Sequence, residues 1–459
     1  MGNKRLKKVM TIAGSDSSAG AGIQADIKTF SALGVYGTTV ITTLTAQSTD
    51  TISDILVVPS KFFKNQLVTT LEDIKPHVIK IGVLYSKSII NIVKNILRNY
   101  KNPIVVDPVL YSGTGVKLLD DDSYELFRKE IIPLAYLITP NLKDAELISK
   151  ISITNKHDMI KAASEIFKLG ASNIIMKGGH SGSNDGKVVD LLFKDKSLIP
   201  HQIVHERLKI GETHGTGCNF SAAIASFIAK GYDISESFHL ANSYVHEALK
   251  NSMKIGGGIL VTNPLYHMYK NSEKYKVLRE LQDSVTTLEK MDNFFQLIPE
   301  TKTNFVYSLE KPRDLNDIAG VLGRVTSLGI NIRAPNLIRF GASVHVSNGL
   351  LAANKFNSLF RSAINIRNNQ DIIQICEHKF KCSIYFRSKE PEQVKKLEGS
   401  SIKWGVSEAF RHGQDVELVY HHGDLGKEPM VIVFGYNPRD VLKKVKIILQ
   451  EYVNNKYFK

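Results

Sequence analysis

From Val9 to about Leu249, short runs of aliphatic and β-branched residues alternate with amphipathic stretches, and this alternation restricts the fold more than any other feature. Apolar runs at 9–13, 38–44, 78–84, 104–109, 136–140 and 173–177 read as strands buried on both faces. Helical periodicity fills the intervals at 22–33, 60–74, 86–99, 121–131 and 157–169. Strands covered on both sides and separated by helices predict an α/β architecture, a doubly wound and mostly parallel sheet with helices on both faces. Such sheets bind ligands beyond the carboxyl ends of their strands. The polar, glycine-rich segments of this chain follow strands.

The pattern changes after Val245. Gly256, Gly257 and Gly258 interrupt the chain, Asn263-Pro264 follows, and 273–296 reads as one charged amphipathic helix. A chain of 459 residues exceeds one ordinary core. The expected division is a first domain over 1–265, a linker over 266–280 and a second, smaller α/β or α+β domain over 281–459. In the second domain, helices are expected at 314–328 and 438–454 and strands at 381–387 and 430–434.

The net charge of +14 raises a nucleic-acid reading, which its distribution opposes. Residues 1–270 carry 31 Lys+Arg against 24 Asp+Glu, and the remainder 28 against 21, without a basic block or an aromatic-interleaved stripe. A lysine-rich solvated surface that attracts phosphorylated small molecules is the better account. No apolar run approaches the ~20 residues of a membrane span, so neither nucleic acid nor membrane is an expected partner. The basic start lacks the apolar core of a secretory signal, and Cys218, Cys376 and Cys382 show no metal-like pairing. These features predict a cytoplasmic protein.

Two glycine-rich segments concentrate the chemistry of the first domain. Ala13-Gly14-Ser15-Asp16 leads through Gly20-Ala21-Gly22 into a helix whose N-terminus faces the strand end. No Gly-Lys-Ser/Thr follows, so this is not a Walker loop. The later segment, His214-Gly215-Thr216-Gly217-Cys218, opens a small-residue helix. Its backbone N–H groups and dipole suit a developing phosphoryl charge, an anion hole at Gly215, Thr216 and Gly217. Cys218 falls in the first turn, where a thiol pKa tends to be lowered.

These two segments together resemble the ribokinase-like kinases. Cys218 stands where most of that superfamily has an aspartate, and His-Gly-Thr-Gly-Cys is similar to the hydroxymethylpyrimidine and phosphomethylpyrimidine kinases. Thr45-Ala46-Gln47, Lys80-Ile81-Gly82-Val83-Leu84, Asp107-Pro108-Val109, Thr139-Pro140-Asn141 and Lys177-Gly178-Gly179-His180 match that family in order, over about 8–250. The resemblance implies ATP and Mg2+ as cofactors and two successive phosphoryl transfers, to the hydroxymethyl oxygen of the pyrimidine and then to the monophosphate. It implies that Gln47, with Asp26, Gly14, Val83 and Val109, holds the substrate, Val83 replacing a frequent Met. Lys177 and Cys218 would be catalytic, and Asp107 and Asp144 would serve the metal. The family's Asn-x-x-Glu is here Asn141-x-x-Asp144, with Glu146 two residues on.

In the second domain, Gly323-Arg324, Gly341-Ala342-Ser343-Val344-His345, Asn365-Ile366-Arg367, Phe386-Arg387 with Glu390-Pro391, and Gly426-Lys427-Glu428-Pro429 place basic side chains near turns. Such groups suit phosphate or pyrophosphate. In this order, over about 280–455, they resemble the non-barrel thiamine-phosphate synthase domain often fused behind the pyrimidine kinase. That resemblance implies joining of the pyrimidine to thiazole phosphate, with Arg324 and His345 catalytic. Two alternatives stand beside it: a pyridoxal-like kinase substrate, and a thiamine-phosphate sensor in place of the synthase. Small-molecule substrates and a homo-oligomer are expected.

Overall fold

The computed structural model describes residues 6–111, 115, 117–178, 186–335, 337–396, 399–411, 413, 415–424 and 426–457. The chain divides into two compact units, Met1–Met268 and Tyr269–Lys459.

The first unit begins with β1 (Lys8–Asp16), α1 (Gly22–Ala32), β2 (Tyr36–Gln47), β3 (Ile52–Val57), α2 (Ser60–Ile74), β4 (Val78–Ile81) and α3 (Lys87–Leu97). It continues with β5 (Ile104–Val106), α4 (Asp121–Glu130), β6 (Leu137–Ile138), α5 (Leu142–Ser149), α6 (Lys156–Lys168) and β7 (Ile174–Met176). β8 (Lys187–Phe193), β9 (His201–Glu206), β10 (Thr213–His214), α7 (Thr216–Lys230), α8 (Ile234–Lys250) and β11 (Leu260–Val261) complete it.

Nine of these strands form one sheet in the order β3-β2-β1-β4-β5-β6-β7-β8-β9. The six from β2 to β7 run parallel, and β3, β8 and β9 add antiparallel edges. This is the doubly wound, mostly parallel sheet that the apolar runs predict. Alternation along β1 explains its two covers. Met10 and Ile12 join a core with Phe63, Ile90, Phe127 and Ile166 from the helices of one face. Val9 joins Phe30, Phe220, Ile224 and Phe238 on the other. From β1 the chain steps one way to β2 and the other way to β4, so a crevice opens where their carboxyl ends diverge.

The second unit contains α9 (Tyr266–Glu289), β12 (Phe305–Ser308), β13 (Ile318–Val321), β14 (Thr326–Leu328), β15 (Asn331–Arg333), β16 (Ile338–Phe340), α10 (His345–Phe356) and β17 (Ser362–Arg367). After these come α11 (Gln370–Lys379), β18 (Cys382–Ile384), α12 (Glu392–Lys395), α13 (Ser400–Arg411), β19 (Leu418–His421), β20 (Met430–Gly435) and α14 (Pro438–Tyr457). Residues 266–280, expected as a linker, are helical. Val277, Leu281, Val285 and Leu288 of α9 lie on one stripe and are fully buried.

A seven-stranded sheet runs β16-β13-β12-β17-β20-β19-β18, and every pair except β18–β19 is antiparallel. Of the two classes left open by the sequence, α+β therefore describes this unit. α9, α11 and α14 cover one face and α10 and α13 the other. The helix expected over 314–328 does not form. Gly323 at φ 88° and Arg324 at φ 66° both adopt the left-handed conformation that stops a helix, and Ile318–Val321 pairs as β13. No helix among the described residues is long and apolar enough to cross a membrane.

Candidate active site

A cavity of about 1400 Å³ lies in the first unit, beyond the carboxyl ends of β1, β4 and β5 and the N-terminus of α7. Gly14, Gln47, Val83, Val109, Asp107, Asp144, Lys177, Gly215, Thr216, Gly217 and Cys218 all line it. Gly179 and His180 lie outside the described residues.

The floor is a charged network. Asp107 follows β5 and is buried; its carboxylate accepts hydrogen bonds from Lys177 Nζ at 3.3 Å, Ser221 Oγ at 3.1 Å and Thr139 Oγ1 at 3.3 Å. Burial alone would raise its pKa. The ammonium groups of Lys177 and Lys80, with the Lys177 and Ser221 hydrogen bonds, outweigh that and hold it below the ordinary value. Asp144 sits on the first turn of α5 and forms a reciprocal capping box with Asn141. The shortened Asn141-x-x-Asp144 motif is thus also a helix start. Burial, opposed by Lys177 and reinforced by Asp107, pushes Asp144 up to about 7. Glu146 is occupied elsewhere, accepting the Ile153 N–H at 2.7 Å.

This gives a pH prediction. A carboxyl raised from 3.8 to about 7 binds its proton more tightly in the folded state, so stability is full below the lower value and falls as pH rises through the upper one. Asp144→Asn is therefore expected to gain up to about 4 kcal/mol over the parent at pH 8, and little at pH 4. Urea denaturation at the two pH values, without added metal, checks this; an equal change at both would refute it.

The turn expected to form the anion hole is built by backbone. Gly215, the N-cap of α7, sits at φ 88°, and a Cβ there would lie 1.9 Å from the Gly20 carbonyl oxygen. Only glycine allows the first loop to close against this turn. His214 completes the closure. Its Nε2 lies 3.1 Å from Asp16 Oδ2 and 2.9 Å from Gln47 Nε2. Asp16 in turn accepts the backbone N–H groups of Ser18, Gly20 and Ala21. Burial raises the Asp16 carboxyl, but the His214, Ser18 and Ala21 hydrogen bonds more than offset it and the net pKa is lowered.

Two expectations need correction. Asp26 does not reach the cavity wall: it is fully buried behind it, accepting Thr11 Oγ1 at 2.6 Å and pairing with Lys80 Nζ at 3.0 Å. Cys218 does lie in the first turn of α7, but its thiol pKa is not lowered. Burial, opposed by the nearby Lys80 charge, pushes it up to about 11. Lys80, which the motif contained without a role, is the cavity's deep cation, kept protonated by Asp26 against the cost of burial. Its signal in the sequence was a lysine within the otherwise apolar strand Val78–Ile81.

In the second unit, Arg324 is exposed in a left-handed turn and donates from Nη1 to the Thr301 carbonyl. His345 is the first residue of α10. Neither lines the cavity of about 370 Å³ beside Tyr385, Phe386 and Trp404. The strand directions place the end of β13, ahead of Arg324, on the same sheet edge as the ends of β17, β18 and β19.

The phosphomethylpyrimidine kinase family model matches residues 16–263, and the thiamine-phosphate synthase ThiN model residues 280–447. The bifunctional thiamine biosynthesis protein ThiDN of Methanocaldococcus jannaschii is 33% identical over 447 residues, 97% of this chain and 99% of that protein. The hydroxymethylpyrimidine/phosphomethylpyrimidine kinase of Bacillus subtilis is 40% identical over 259 residues, 56% of this chain and 94% of that one. Among solved structures, the pyridoxal kinase of Staphylococcus aureus in complex with AMP-PCP and pyridoxal superposes with a TM-score of 0.52 at 35% identity, covering 56% of this chain and 93% of its own. The chain belongs to the phosphomethylpyrimidine kinase family, with a thiamine-phosphate synthase domain of the ThiN type fused behind the kinase.

Proposed function

We propose that the first unit phosphorylates hydroxymethylpyrimidine twice at the cavity between β1, β4 and α7, and that the second consumes the diphosphate, with the roles assigned as follows. The protein acts in thiamine biosynthesis as a kinase of hydroxymethylpyrimidine and of its monophosphate, and as a thiamine-phosphate synthase. ATP is the phosphoryl donor. The observation that supports the residue roles is the convergence of Lys177, Asp107 and the Gly217 backbone at the cavity floor.

In the first transfer the hydroxymethyl oxygen attacks the γ-phosphorus, the bond to the ADP oxygen breaks, ADP leaves, and the hydroxyl proton passes through the phosphoryl oxygens to solvent. Such a transition state needs alignment and charge neutralisation more than covalent help. The α7 N-terminus and the Lys177 ammonium take up equatorial oxygen charge. Gln47, whose amide offers both a donor and an acceptor, reads the pyrimidine edge, while Val83 and Val109 bound the ring. Cys218 is a neutral thiol at pH 7 and shapes the hole instead of serving as resting base. Asp107 and Asp144 both line the cavity, and the Asp107 charge is felt at Asp144; together they would hold Mg2+, whose preference is one or two carboxylates completed by phosphate and water oxygens. A cation held there would favour the ionised form of Asp144 and would supply charge neutralisation to the phosphates. In the second unit, Arg324 neutralises departing pyrophosphate and His345 binds phosphate. A cytoplasmic enzyme completes the reading.

The test follows both units in one vessel. With hydroxymethylpyrimidine, ATP, magnesium and thiazole phosphate, the parent is expected to form thiamine phosphate. Arg324→Ala is expected to lose about 10²-fold or more of that product while pyrimidine diphosphate accumulates. Undiminished thiamine phosphate from the variant would remove Arg324 from the mechanism.

A further inference from the structure

Four buried side chains of the second unit meet at the sheet edge formed by the ends of β18 and β19. Tyr385 follows β18, Arg387 and Glu390 belong to the turn after it, and His421 ends β19. Among the described residues, each leaves a buried polar atom without a hydrogen-bond partner: Tyr385 Oη, Arg387 Nε, Glu390 Oε1 and His421 Nε2. The groups are close neighbours. The rings of Tyr385 and His421 lie 5.0 Å apart, and Arg387 Nε is 3.8 Å from Glu390 Oε2, beyond hydrogen-bond reach.

The protonation pattern follows from geometry. His421 Nδ1 accepts the Gly423 N–H at 3.0 Å, so the proton of the neutral ring is on Nε2. Burial, with the charge of Arg387, keeps the ring neutral. The cluster therefore presents three donors, on Tyr385, Arg387 and His421, beside one acceptor, on Glu390. Its formal charge is zero. Buried polar atoms are costly when unpaired, and four on neighbouring side chains mark a place where a polar ligand would be stabilised.

We infer that this cluster is the aminopyrimidine subsite of the synthase unit. The inference rests on the synthase reading and names which part of its substrate is held here. An aminopyrimidine edge places an exocyclic N–H donor next to a ring-nitrogen acceptor. Glu390 Oε1 takes the amine hydrogen, and Arg387 or His421 donates to ring nitrogen. A phosphate dianion is the poorer match, since it would face the Glu390 carboxylate and has no hydrogen to give it. The phosphate ends of the substrates lie outside this cluster.

Trp404, the only tryptophan in the chain, meets the Tyr385 ring edge-on at 6.2 Å, and the kinase unit has none. Its emission in the full-length protein thus reports on the synthase unit. Thiamine phosphate is expected to change it saturably, hydroxymethylpyrimidine to compete, and inorganic phosphate to leave it unmoved. Glu390→Gln is expected to raise the thiamine phosphate Kd and the pyrimidine diphosphate KM about tenfold or more, with the thiazole phosphate KM and both kinase rates unchanged. Tyr385→Phe, which removes one hydroxyl and no ring, should weaken the same ligands by about threefold or more and guards against misfolding of the first variant. Silent emission in a protein that turns over would overturn the subsite and leave the synthase reading intact. Absence of turnover together with silent emission would overturn both. A response to inorganic phosphate that Glu390→Gln strengthens would make this an anion site, and variants with lowered Tm but parental KM values would make it a structural cluster; either refutes the proposal.

Discussion

Lys177→Met is expected to lower kcat for phosphorylation of the pyrimidine by about 10²–10³-fold, with a change in Tm of at most a few degrees. The size follows from where the charge sits. Lys177 Nζ faces the cavity, and a Cβ on Gly217 would lie 3.4 Å from it, so ammonium and anion-hole backbone address the same volume. Lys177 is mostly buried, at 16% exposure, and a fixed cation aimed at developing phosphoryl charge there stabilises the transition state more than it would in open solvent. The fold tolerates the loss because Asp107 keeps Ser221, Thr139 and the Lys80 charge. A second readout separates this role from simple packing. Lys177 is the leading influence lowering the Asp107 pKa against burial. Removing it raises that pKa, so the acidic limb of the kcat profile moves to higher pH. A kcat within threefold of the parent, with an unmoved acidic limb, would discard the assignment.

How much of this was legible in the sequence depends on the range of the interaction. Helices α1 to α4 and α6 fall within a residue or two of their periodic stretches because apolar spacing is a local signal, whereas the short α5 has no such stretch. Strand ends were less legible. The run 104–109 reads as strand to Val109, but β5 ends at Val106: the Asp107 N–H still reaches the Ile81 carbonyl, and Pro108 has no N–H to carry the pairing further. The glycine turn at 215–217 and the cavity-facing Gln47, Asp107 and Lys177 were readable as motifs after strands. The partners that define their chemistry were not. His214 and Asp16 are 198 positions apart, and Ser221 and Asp107 are 114 apart. Asp26 illustrates the cost: the family resemblance implies substrate contact, whereas its actual partner is Lys80 on β4, 54 positions along the chain. In the second unit, an apolar stretch at 314–328 carries helix-like spacing, and only the backbone angles of Gly323 and Arg324 reveal the turn that ends β13.

Lys80→Met carries the largest expected stability effect, a loss of about 3–5 kcal/mol. Lys80 and Asp26 are both completely buried, and Asp26 Oδ1 has no partner among the described residues. Removing the ammonium leaves a carboxylate that retains only the Thr11 hydroxyl in an apolar setting. Such a group escapes by taking a proton, so its folded-state pKa rises far above the unfolded value. The variant's stability therefore falls as pH increases through the raised value, and urea midpoints should be higher at pH 5 than at pH 8. The double variant Lys80→Met, Asp26→Leu removes both charges and is expected to recover most of the lost stability, as apolar replacements of buried ion pairs commonly do. Its kinase activity should stay low, because Lys80 also lines the cavity floor near Cys218 and Asp107. Recovery of folding without recovery of phosphorylation would separate the two duties of this lysine. Full activity in the double variant would reduce it to a structural counter-ion for Asp26.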